Sequence, residues 1–277
     1  MTLNIGGKLL DFTTPMVMGI LNVTTDSFYS ASRMQDEDAI RQRAAQILSE
    51  GGEIVDVGAF STRPGASVVS EEEEMRRLDQ ALAIIRKAYP DIIISVDTFR
   101  ASVARRCVVE YGANIINDVS GGALDAQMFE TVADLRIPYV LTHSGGMADD
   151  KTEQSGTLVE DMCRFFAERL QTLHELGVAD VILDPGFGFG KTLQQNYEVM
   201  HRLSDMIGLF PDNPFLVGIS RKSMIYRLLE SSPEEALNGT TVLNTLSLQA
   251  GAHILRVHDV REAVETVRIL RALNAKP

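Results

Sequence analysis

The stretch Ile92-Ile-Ile-Ser-Val-Asp97-Thr98 carries the pattern that decides the fold, a short apolar run that ends in polar residues. An amphipathic segment, Phe99–Tyr111, follows it, and a second apolar run begins at Asn114. A strand that is apolar on both faces is typical of a parallel sheet covered by helices, and an amphipathic helix supplies that cover. The stretch therefore predicts one strand and helix unit of an α/β protein.

The same pattern recurs along the whole chain. Eight runs are predicted as strands: Met16–Val23, Glu53–Val57, Ile92–Val96, Asn114–Asn117, Pro138–Thr142, Val181–Leu183, Phe215–Ile219 and Ala252–Val257. Amphipathic segments are predicted as helices, among them Asp36–Glu50, Glu71–Tyr89, Phe99–Tyr111, Leu158–Leu176 and Arg261–Leu273. The mean repeat from Asn22 to Arg256 is about 33 residues, close to one strand and helix unit. We therefore predict that residues 1–277 form a single (β/α)8 TIM barrel domain.

Two features at the edges of this pattern are predicted to be structural. Gly6-Gly7 separates two short apolar runs within Leu3–Phe12, which indicates a short N-terminal β-hairpin that caps the bottom of the barrel. The acidic run Glu71–Glu74 is typical of a solvated helix N-terminus, where carboxylates suit the helix dipole. Neither feature is expected to carry function.

The composition excludes several classes of protein. The chain has 26 Lys and Arg against 38 Asp and Glu, a net charge of −12, whereas a general nucleic-acid binder needs a basic surface. Cys107 and Cys163 both fall in predicted helices, so a disulfide framework or a cysteine metal site is not expected. No window approaches the roughly 18 apolar residues of a membrane span. We expect a cytoplasmic protein with no nucleic-acid or membrane partner.

The ends of the predicted strands are polar, and in a barrel these ends and the loops after them form the active site. In chain order they provide Asn22, Asp56, Asp97, Asn117, His143, Asp184, Ser220-Arg221-Lys222, Arg256 and His258. Because side chains alternate along a strand, Arg256 and His258 are expected to project together into the barrel mouth. Any one of these residues could be a helix N-cap or a satisfied strand end. A polar residue at nearly every strand end is better explained by a binding site.

Familiar catalytic motifs are absent from these positions. The segment Gly186–Thr192 resembles the end of a phosphate-binding P-loop, but Pro185 stands where that motif needs glycine. A nucleophile elbow around Ser220 would need glycine at Lys222. The remaining histidines, at positions 174, 201 and 253, have no partners at metal-ligand spacing and are expected to be structural. The chemistry therefore has to come from the strand-end residues themselves.

These residues divide into two chemical sets. The basic set is Arg63, Arg221, Lys222, Arg256 and His258, and the acid and amide set is Asn22, Asp97, Asn117 and Asp184. Cationic donors suit a phosphate or pyrophosphate, whereas carboxylates accept paired N–H bonds from a donor-rich planar ring. We predict a ligand that carries both a phosphate or pyrophosphate and a planar ring, with the basic set binding the first and the acid and amide set binding the second.

At this point the chain resembles the dihydropteroate synthase family over nearly its whole length. The segments that carry the resemblance are Met18–Thr24 with Asp26–Phe28, Ser61–Ala66, Ser95–Thr98, Ile116–Gly122, Leu183–Thr192, Val217–Ser223, Gly239–Thr241 and Leu255–Val260. The resemblance implies a transferase that condenses 6-hydroxymethyl-7,8-dihydropterin pyrophosphate with p-aminobenzoate, with Mg²⁺ assisting, in folate biosynthesis. It also implies a homodimer and competition by sulfonamides for the p-aminobenzoate pocket.

The resemblance further implies roles for individual residues. For the pterin the residues are Asp97, Asn117, Asp184, Lys222 and Arg256, the last by stacking on the ring. For the pyrophosphate they are Asn22, Arg63, Arg256 and His258, with Asn22 also contacting Mg²⁺. For p-aminobenzoate they are Phe28, Thr62, Pro64, Phe189, Lys222 and Ser223. The implied catalytic set is Asn22, Arg63, Lys222, Arg256 and His258. Pyrophosphate is expected to leave first, before the amine of p-aminobenzoate attacks a pterin cation.

The chain departs from the family pattern in three places, and two alternatives stay open. Thr25 and the segment Tyr29–Ser32 alter the first loop, Ala59-Phe60 precedes Ser61, and Thr142-His-Ser144 follows the fifth strand. A pterin-dependent methyltransferase-type barrel would share the ring-binding residues but would have no pyrophosphate to hold. A catalytically inactive pterin-binding paralogue would explain the altered first loop. Turnover separates all three.

Overall fold

A computed structural model describes residues 1–23, 33–60, 69–145 and 157–275, with the backbone alone for residues 33–36. The strands are β1 (Thr2–Ile5), β2 (Lys8–Asp11), β3 (Met16–Asn22), β4 (Ile54–Gly58), β5 (Ile93–Asp97), β6 (Ile115–Asp118), β7 (Tyr139–Thr142), β8 (Val181–Asp184), β9 (Leu216–Val217) and β10 (Ile254–Val257). The helices are α1 (Arg33–Ser49), α2 (Glu71–Ala88), α3 (Ala101–Tyr111), α4 (Met128–Leu135), α5 (Leu158–Glu175), α6 (Leu193–His201), α7 (Leu203–Leu209), α8 (Ser223–Tyr226), α9 (Leu237–Gln249) and α10 (Val260–Asn274).

Strands β3 to β10 form one parallel sheet in which sequential strands are neighbours and β10 returns to pair with β3. The barrel closes between β8 and β9, where Leu183 and Phe215 form a parallel bridge. The Leu183 amide donates to the carbonyl of Pro214 at 2.8 Å on the same seam. The predicted (β/α)8 barrel is therefore confirmed.

Strand β9 is shorter than the predicted run Phe215–Ile219. Pro214 has no amide hydrogen, and the Phe215 amide donates to Nδ1 of His253 at 3.1 Å instead of to a strand carbonyl. At the other end, the Lys222 amide donates to the carbonyl of Ile219 and closes a turn. Regular pairing of β9 with β10 is thus limited to Leu216 and Val217.

The predicted N-terminal hairpin is confirmed, with β1 and β2 paired antiparallel. Gly6 and Gly7 form its turn with φ values of 57° and 88°, a backbone that glycine adopts without steric cost. Leu3, Ile5 and Phe12 are buried together with apolar residues from the N-terminal ends of the barrel strands. The hairpin therefore closes the end of the barrel opposite to the polar strand ends.

Alternation along the strands separates two apolar layers. Val55 and Val57 of β4 belong to the cluster between the sheet and the helices, whereas Ile54 belongs to the cluster inside the barrel. Asp56 and Gly58 share the face of Ile54, since side chains two apart point the same way. The same alternation on the other strands directs Asn22, Asp97, Asn117, Asp184 and Arg256 to the barrel interior.

The prediction that Glu71–Glu74 is a solvated helix end is only partly right. Glu71 and Glu72 are exposed, but Glu74 is fully buried. Its Oε1 accepts from the Thr98 hydroxyl at 2.6 Å, and its Oε2 forms an ion pair with Arg100. Glu74 therefore ties α2 to the end of β5, a contact that the local sequence could not reveal.

Helix α9 was not predicted because its sequence lacks a clear apolar face. Its Thr and Ser side chains are accommodated by bonds to carbonyls four residues earlier, for example from Thr240 to Ala236 at 2.8 Å and from Ser247 to Leu243 at 2.7 Å. Cys107 and Cys163 are free thiols in α3 and α5, as expected. None of the described helices has the length and apolarity needed to cross a membrane.

Candidate active site

The polar strand ends meet inside the barrel at its C-terminal end. Strand pairing places Asn22, Gly58, Asp97 and Asn117 in one row across β3, β4, β5 and β6. Asp184 at the end of β8 stands in register with Thr142 of β7. Because these residues come from separate strands, their positions are fixed by the sheet and not by loops.

Arg256 reaches from β10 past β3 and bonds to residues of β4 and β5. Its Nε donates to Oδ2 of Asp56 at 2.7 Å and its Nη2 donates to Oδ2 of Asp97 at 2.7 Å. Asn117 Nδ2 lies 3.2 and 3.3 Å from the two oxygens of Asp56. Burial by itself lowers the pKa of Arg256, but Asp56 and Asp97 raise it above its ordinary value. Arg256 is therefore a permanently charged group in a fixed orientation.

Asp56 is a site residue to which the sequence reasoning assigned no role. It is fully buried in the middle of an apolar strand, and its partners Asn117 and Arg256 lie 61 and 200 residues away in the sequence. A charged residue at an inward-facing position of a buried strand was the signal that could have identified it. Asp56 holds the residues that face the ligand.

Two inward-facing glycines make room for this arrangement. A Cβ at Gly58 would lie 3.4 Å from both Asn22 Oδ1 and Asp97 Cβ. A Cβ at Gly218 would lie 3.8 Å from the Cβ of Arg256. Any larger side chain at these positions would enter the space beside Asp97 and Arg256.

The carboxylates of Asp97 and Asp184 are buried and can accept hydrogen bonds. Burial raises the pKa of Asp97 to about 7, with Arg256 opposing the rise, and within the part of the chain that the structure describes its buried Oδ1 has no hydrogen-bond partner. Burial also raises the pKa of Asp184, whose Oδ1 accepts from the Gly186 amide at 2.8 Å. An unpaired buried acceptor is costly, which indicates that a ligand donor completes the site.

Lys222 stands opposite these carboxylates. Its Nζ donates to the carbonyl of Phe187 and lies 4.3 Å from the centroid of the Phe189 ring. Burial lowers the pKa of Lys222 to about 8, while Asp184 opposes that shift. Ser223 follows directly as the first residue of α8. The structure thus places Lys222 against Phe187 and Phe189, with Ser223 next to it in the chain.

His258 follows β10 and lies near Arg256. Burial and, to a lesser extent, the charge of Arg256 lower the pKa of His258 to about 4. The imidazole is therefore neutral at pH 7 and can donate one hydrogen bond without carrying charge.

Two strand-end residues lie outside this group. Arg221 has φ of 55°, and its guanidinium donates to both oxygens of Asp259 at 2.8 and 2.9 Å and to the carbonyls of Pro233 and Glu234. Its inclusion in the ligand-binding basic set was wrong, because these bonds occupy it at the barrel rim. The ring of His143 lies 5.1 Å from that of Phe165, and burial lowers its pKa to about 3. His143 is a packed, neutral residue.

Several predicted site residues fall outside the described ranges. They are Phe28, Thr62, Arg63 and Pro64, together with the altered positions Thr25 and Tyr29–Ser32. Asn22 is described, at the exposed end of β3. In the described ranges, no group of three or more His, Cys, Asp or Glu residues could hold a metal ion by itself.

The comparisons with known proteins agree with one another. A family model described as pterin binding enzyme matches residues 18–258. The dihydropteroate synthase of Escherichia coli K12 is 40% identical over an alignment of 281 residues, which covers 98% of this chain and 96% of that protein. The Xanthomonas albilineans dihydropteroate synthase structure with 4-aminobenzoic acid has a TM-score of 0.88 and 35% identity, covering 100% and 99% of the two chains. The Yersinia pestis dihydropteroate synthase structure with a sulfonamide drug has a TM-score of 0.87 and 35% identity, covering 100% of both.

Proposed function

This chain belongs to the dihydropteroate synthase family of pterin-binding enzymes, and we propose that its barrel mouth performs the family reaction with the residue roles set out below. The reaction joins 6-hydroxymethyl-7,8-dihydropterin pyrophosphate to p-aminobenzoate and releases pyrophosphate. The observation that carries the proposal is the buried Oδ1 of Asp97, which has no hydrogen-bond partner among the described residues and lies close to the cations Lys222 and Arg256.

The pterin ring fits the acceptor edge of the site. Its amino group and ring N–H groups would donate to Asp184 and to Asp97 Oδ1, since carboxylate oxygens accept such bonds in pairs. Asn117 and Lys222 would bond to the remaining polar edge of the ring. The guanidinium of Arg256, fixed by Asp56 and Asp97, offers a flat cationic face on which the pterin stacks.

The pyrophosphate would lie at the other end, against Asn22, Arg63, Arg256 and His258. Mg²⁺ fits here because Asn22 offers an exposed oxygen, and this ion commonly takes few protein ligands and several phosphate oxygens. Bound Mg²⁺ would supply neutralisation of the charge that develops on the departing pyrophosphate.

The site residues support a dissociative reaction. The bond between the pterin methylene carbon and the pyrophosphate oxygen breaks first, the electron pair leaves with pyrophosphate, and the cation is delocalised into the ring. The p-aminobenzoate nitrogen then bonds to the methylene carbon and releases one proton. Because the electrophile is already cationic, the arylamine needs no strong base, and Arg256 and neutral His258 assist departure as donors.

The p-aminobenzoate would bind beside this centre, with Phe28, Thr62, Pro64, Phe189, Lys222 and Ser223 as its pocket. Lys222 supplies a cation for the benzoate carboxylate, and the Phe189 ring beneath Nζ supplies an apolar wall. Sulfonamides would compete for the same pocket. We also propose that the enzyme works in the cytoplasm as a homodimer.

Turnover tests this function directly. Purified protein is mixed with the dihydropterin pyrophosphate, p-aminobenzoate and Mg²⁺, and dihydropteroate and pyrophosphate are quantified together. We expect both products in equal amounts, and the isosteric variant Asp184→Asn should bind the pterin poorly because an amide donor replaces a carboxylate oxygen. Pterin binding without either product would contradict the synthase function and would favour the methyltransferase-type or inactive alternatives.

A further inference from the structure

We propose that Ser220 is a positioning residue that holds the His258 ring in the tautomer with its proton on Nε2. The proposal rests on the proposed function, in which His258 donates a hydrogen bond to the pyrophosphate. Ser220 follows β9, whereas His258 follows the adjacent strand β10, so the contact joins two neighbouring strand ends.

Two hydrogen-bond contacts join Ser220 and His258. The backbone N–H of His258 donates to Ser220 Oγ at 3.1 Å, and the same Oγ lies 3.1 Å from Nδ1 of the His258 ring. A backbone N–H can only donate, so Oγ is an acceptor in the first contact. Its own hydroxyl proton is then free for Nδ1. In the described ranges Ser220 Oγ makes no other hydrogen bond that could take this proton.

The tautomer matters because the ring is neutral. Ser220 is buried, and the charges of Arg256, Arg221 and Arg43 act on His258, opposed by that of Asp259. Arg43 Nη2 also donates to the carbonyl of His258 at 2.6 Å, which fixes the backbone of the residue. Burial and these charges lower the pKa of His258 to about 4. A neutral imidazole carries one proton, which lies on either Nδ1 or Nε2.

The Nε2–H tautomer is the one that suits an anion. With Nδ1 accepting from Ser220, Nε2–H is left as a donor toward a pyrophosphate oxygen. The opposite tautomer would present a lone pair at Nε2, and this lone pair would repel the same oxygen. Ser220 thus determines whether His258 attracts or repels the leaving group. The sequence motif around Ser220 fails as a nucleophile elbow, and this contact gives the hydroxyl a different use.

Nitrogen-15 NMR of the substrate-free protein with labelled histidine tests the proposal. The chain has five histidines, and His258→Gln identifies the resonances of residue 258. At pH 7 we expect an unprotonated Nδ1 and a protonated Nε2 in the parent and in Ser220→Thr, which keeps the hydroxyl. Ser220→Ala should give a mixture of tautomers, and its Kd for inorganic pyrophosphate with Mg²⁺, measured by calorimetry, should rise roughly tenfold.

A protonated Nδ1 in the parent would overturn the proposal. So would a Ser220→Ala protein with the parental spectrum and pyrophosphate affinity, because a purely structural serine would affect stability alone. If Ser220→Ala does not fold, Ser220→Cys, a weaker donor of similar size, takes its place. The spectrum is recorded without substrates, so the tautomer result does not depend on turnover. A failure to form dihydropteroate would contradict the proposed function alone.

Discussion

Arg256 is the residue on which the two parts of the candidate site depend, since its position is set by carboxylates that belong to other strands. Asp56 and Asp97 pair with its charge inside the barrel, and Asp97 Oδ1 has no hydrogen-bond partner in the ranges that are described. Buried ion pairs of this kind fix a geometry more reliably than they add stability. The two aspartates therefore have different roles. Asp56 orients Arg256, whereas Asp97 orients Arg256 and also offers a hydrogen-bond acceptor to the ligand.

The variant Asp56→Asn tests whether Asp56 orients Arg256. Its amide keeps the size of the side chain but removes one of the two carboxylates that hold Arg256, so Asp97 becomes the only anionic partner. We expect the Kd for the pterin to rise roughly tenfold, the effect of losing about one charge-assisted bond. Calorimetry with 6-hydroxymethylpterin measures it, with Asp11→Asn in the exposed strand β2 as control. Unchanged pterin affinity would mean that Asp97 alone orients Arg256.

Lys222 predicts a pH dependence of p-aminobenzoate binding. Burial lowers its pKa to about 8, so the side chain is charged at pH 7 and becomes neutral as the pH rises through 8. Attraction to the benzoate carboxylate should therefore be lost at high pH. Between pH 7 and pH 9 we expect KM for p-aminobenzoate to rise about tenfold. The matched variant Lys222→Arg stays charged throughout, so its KM should be flat, and a parallel rise in both proteins would contradict the role of Lys222.

At the scale of elements, the strand ends are held by helix residues that do not touch the site. Glu74 in the first turn of α2 bonds to Thr98 and Arg100, directly after Asp97. Arg100 Nη2 in turn donates to the carbonyl of Val69 at 2.8 Å. The buried carboxylate of Glu74 therefore links the start of α2 to the end of β5. Through Arg100 it is also linked to Val69, the residue before the N-cap of α2.

Removal of this carboxylate should be costly. Glu74→Ala leaves Arg100 and the Thr98 hydroxyl without their buried partner, and we expect the free energy of unfolding to fall by about 3 kcal/mol. Urea denaturation followed by circular dichroism measures it. Glu72→Ala, two residues earlier on the exposed side of the same helix turn, is the control and should change stability by less than about 0.5 kcal/mol. Equal effects of the two substitutions would contradict the anchoring role of Glu74.

The elements were predictable from sequence to different degrees, for physical reasons. The strands and the amphipathic helices follow from local periodicity, and the strand-end residues Asn22, Asp97, Asn117 and Asp184 follow from the barrel geometry that this periodicity implies. The contacts of Asp56, Glu74 and Arg221 could not be predicted, because their partners are distant in sequence or set by a turn. Local pattern indicates which face a residue occupies, whereas the partner it meets there depends on the packed molecule.

At the scale of the whole molecule, the barrel has one end for chemistry and one for stability, and this separation can be tested. Leu3 of the hairpin is buried against the bottom of the barrel, so Leu3→Ala should leave a cavity and reduce the free energy of unfolding by about 3 kcal/mol. Leu9, on the same hairpin but 73% exposed, is the matched control, and Leu9→Ala should unfold like the parent. Because the polar strand ends lie at the opposite end, kcat/KM at 25 °C should be the same in all three proteins. A loss of kcat/KM in the folded Leu3→Ala protein would show that the hairpin is coupled to the site through the apolar layer inside the barrel that contains Met16, Ile54 and Ile254.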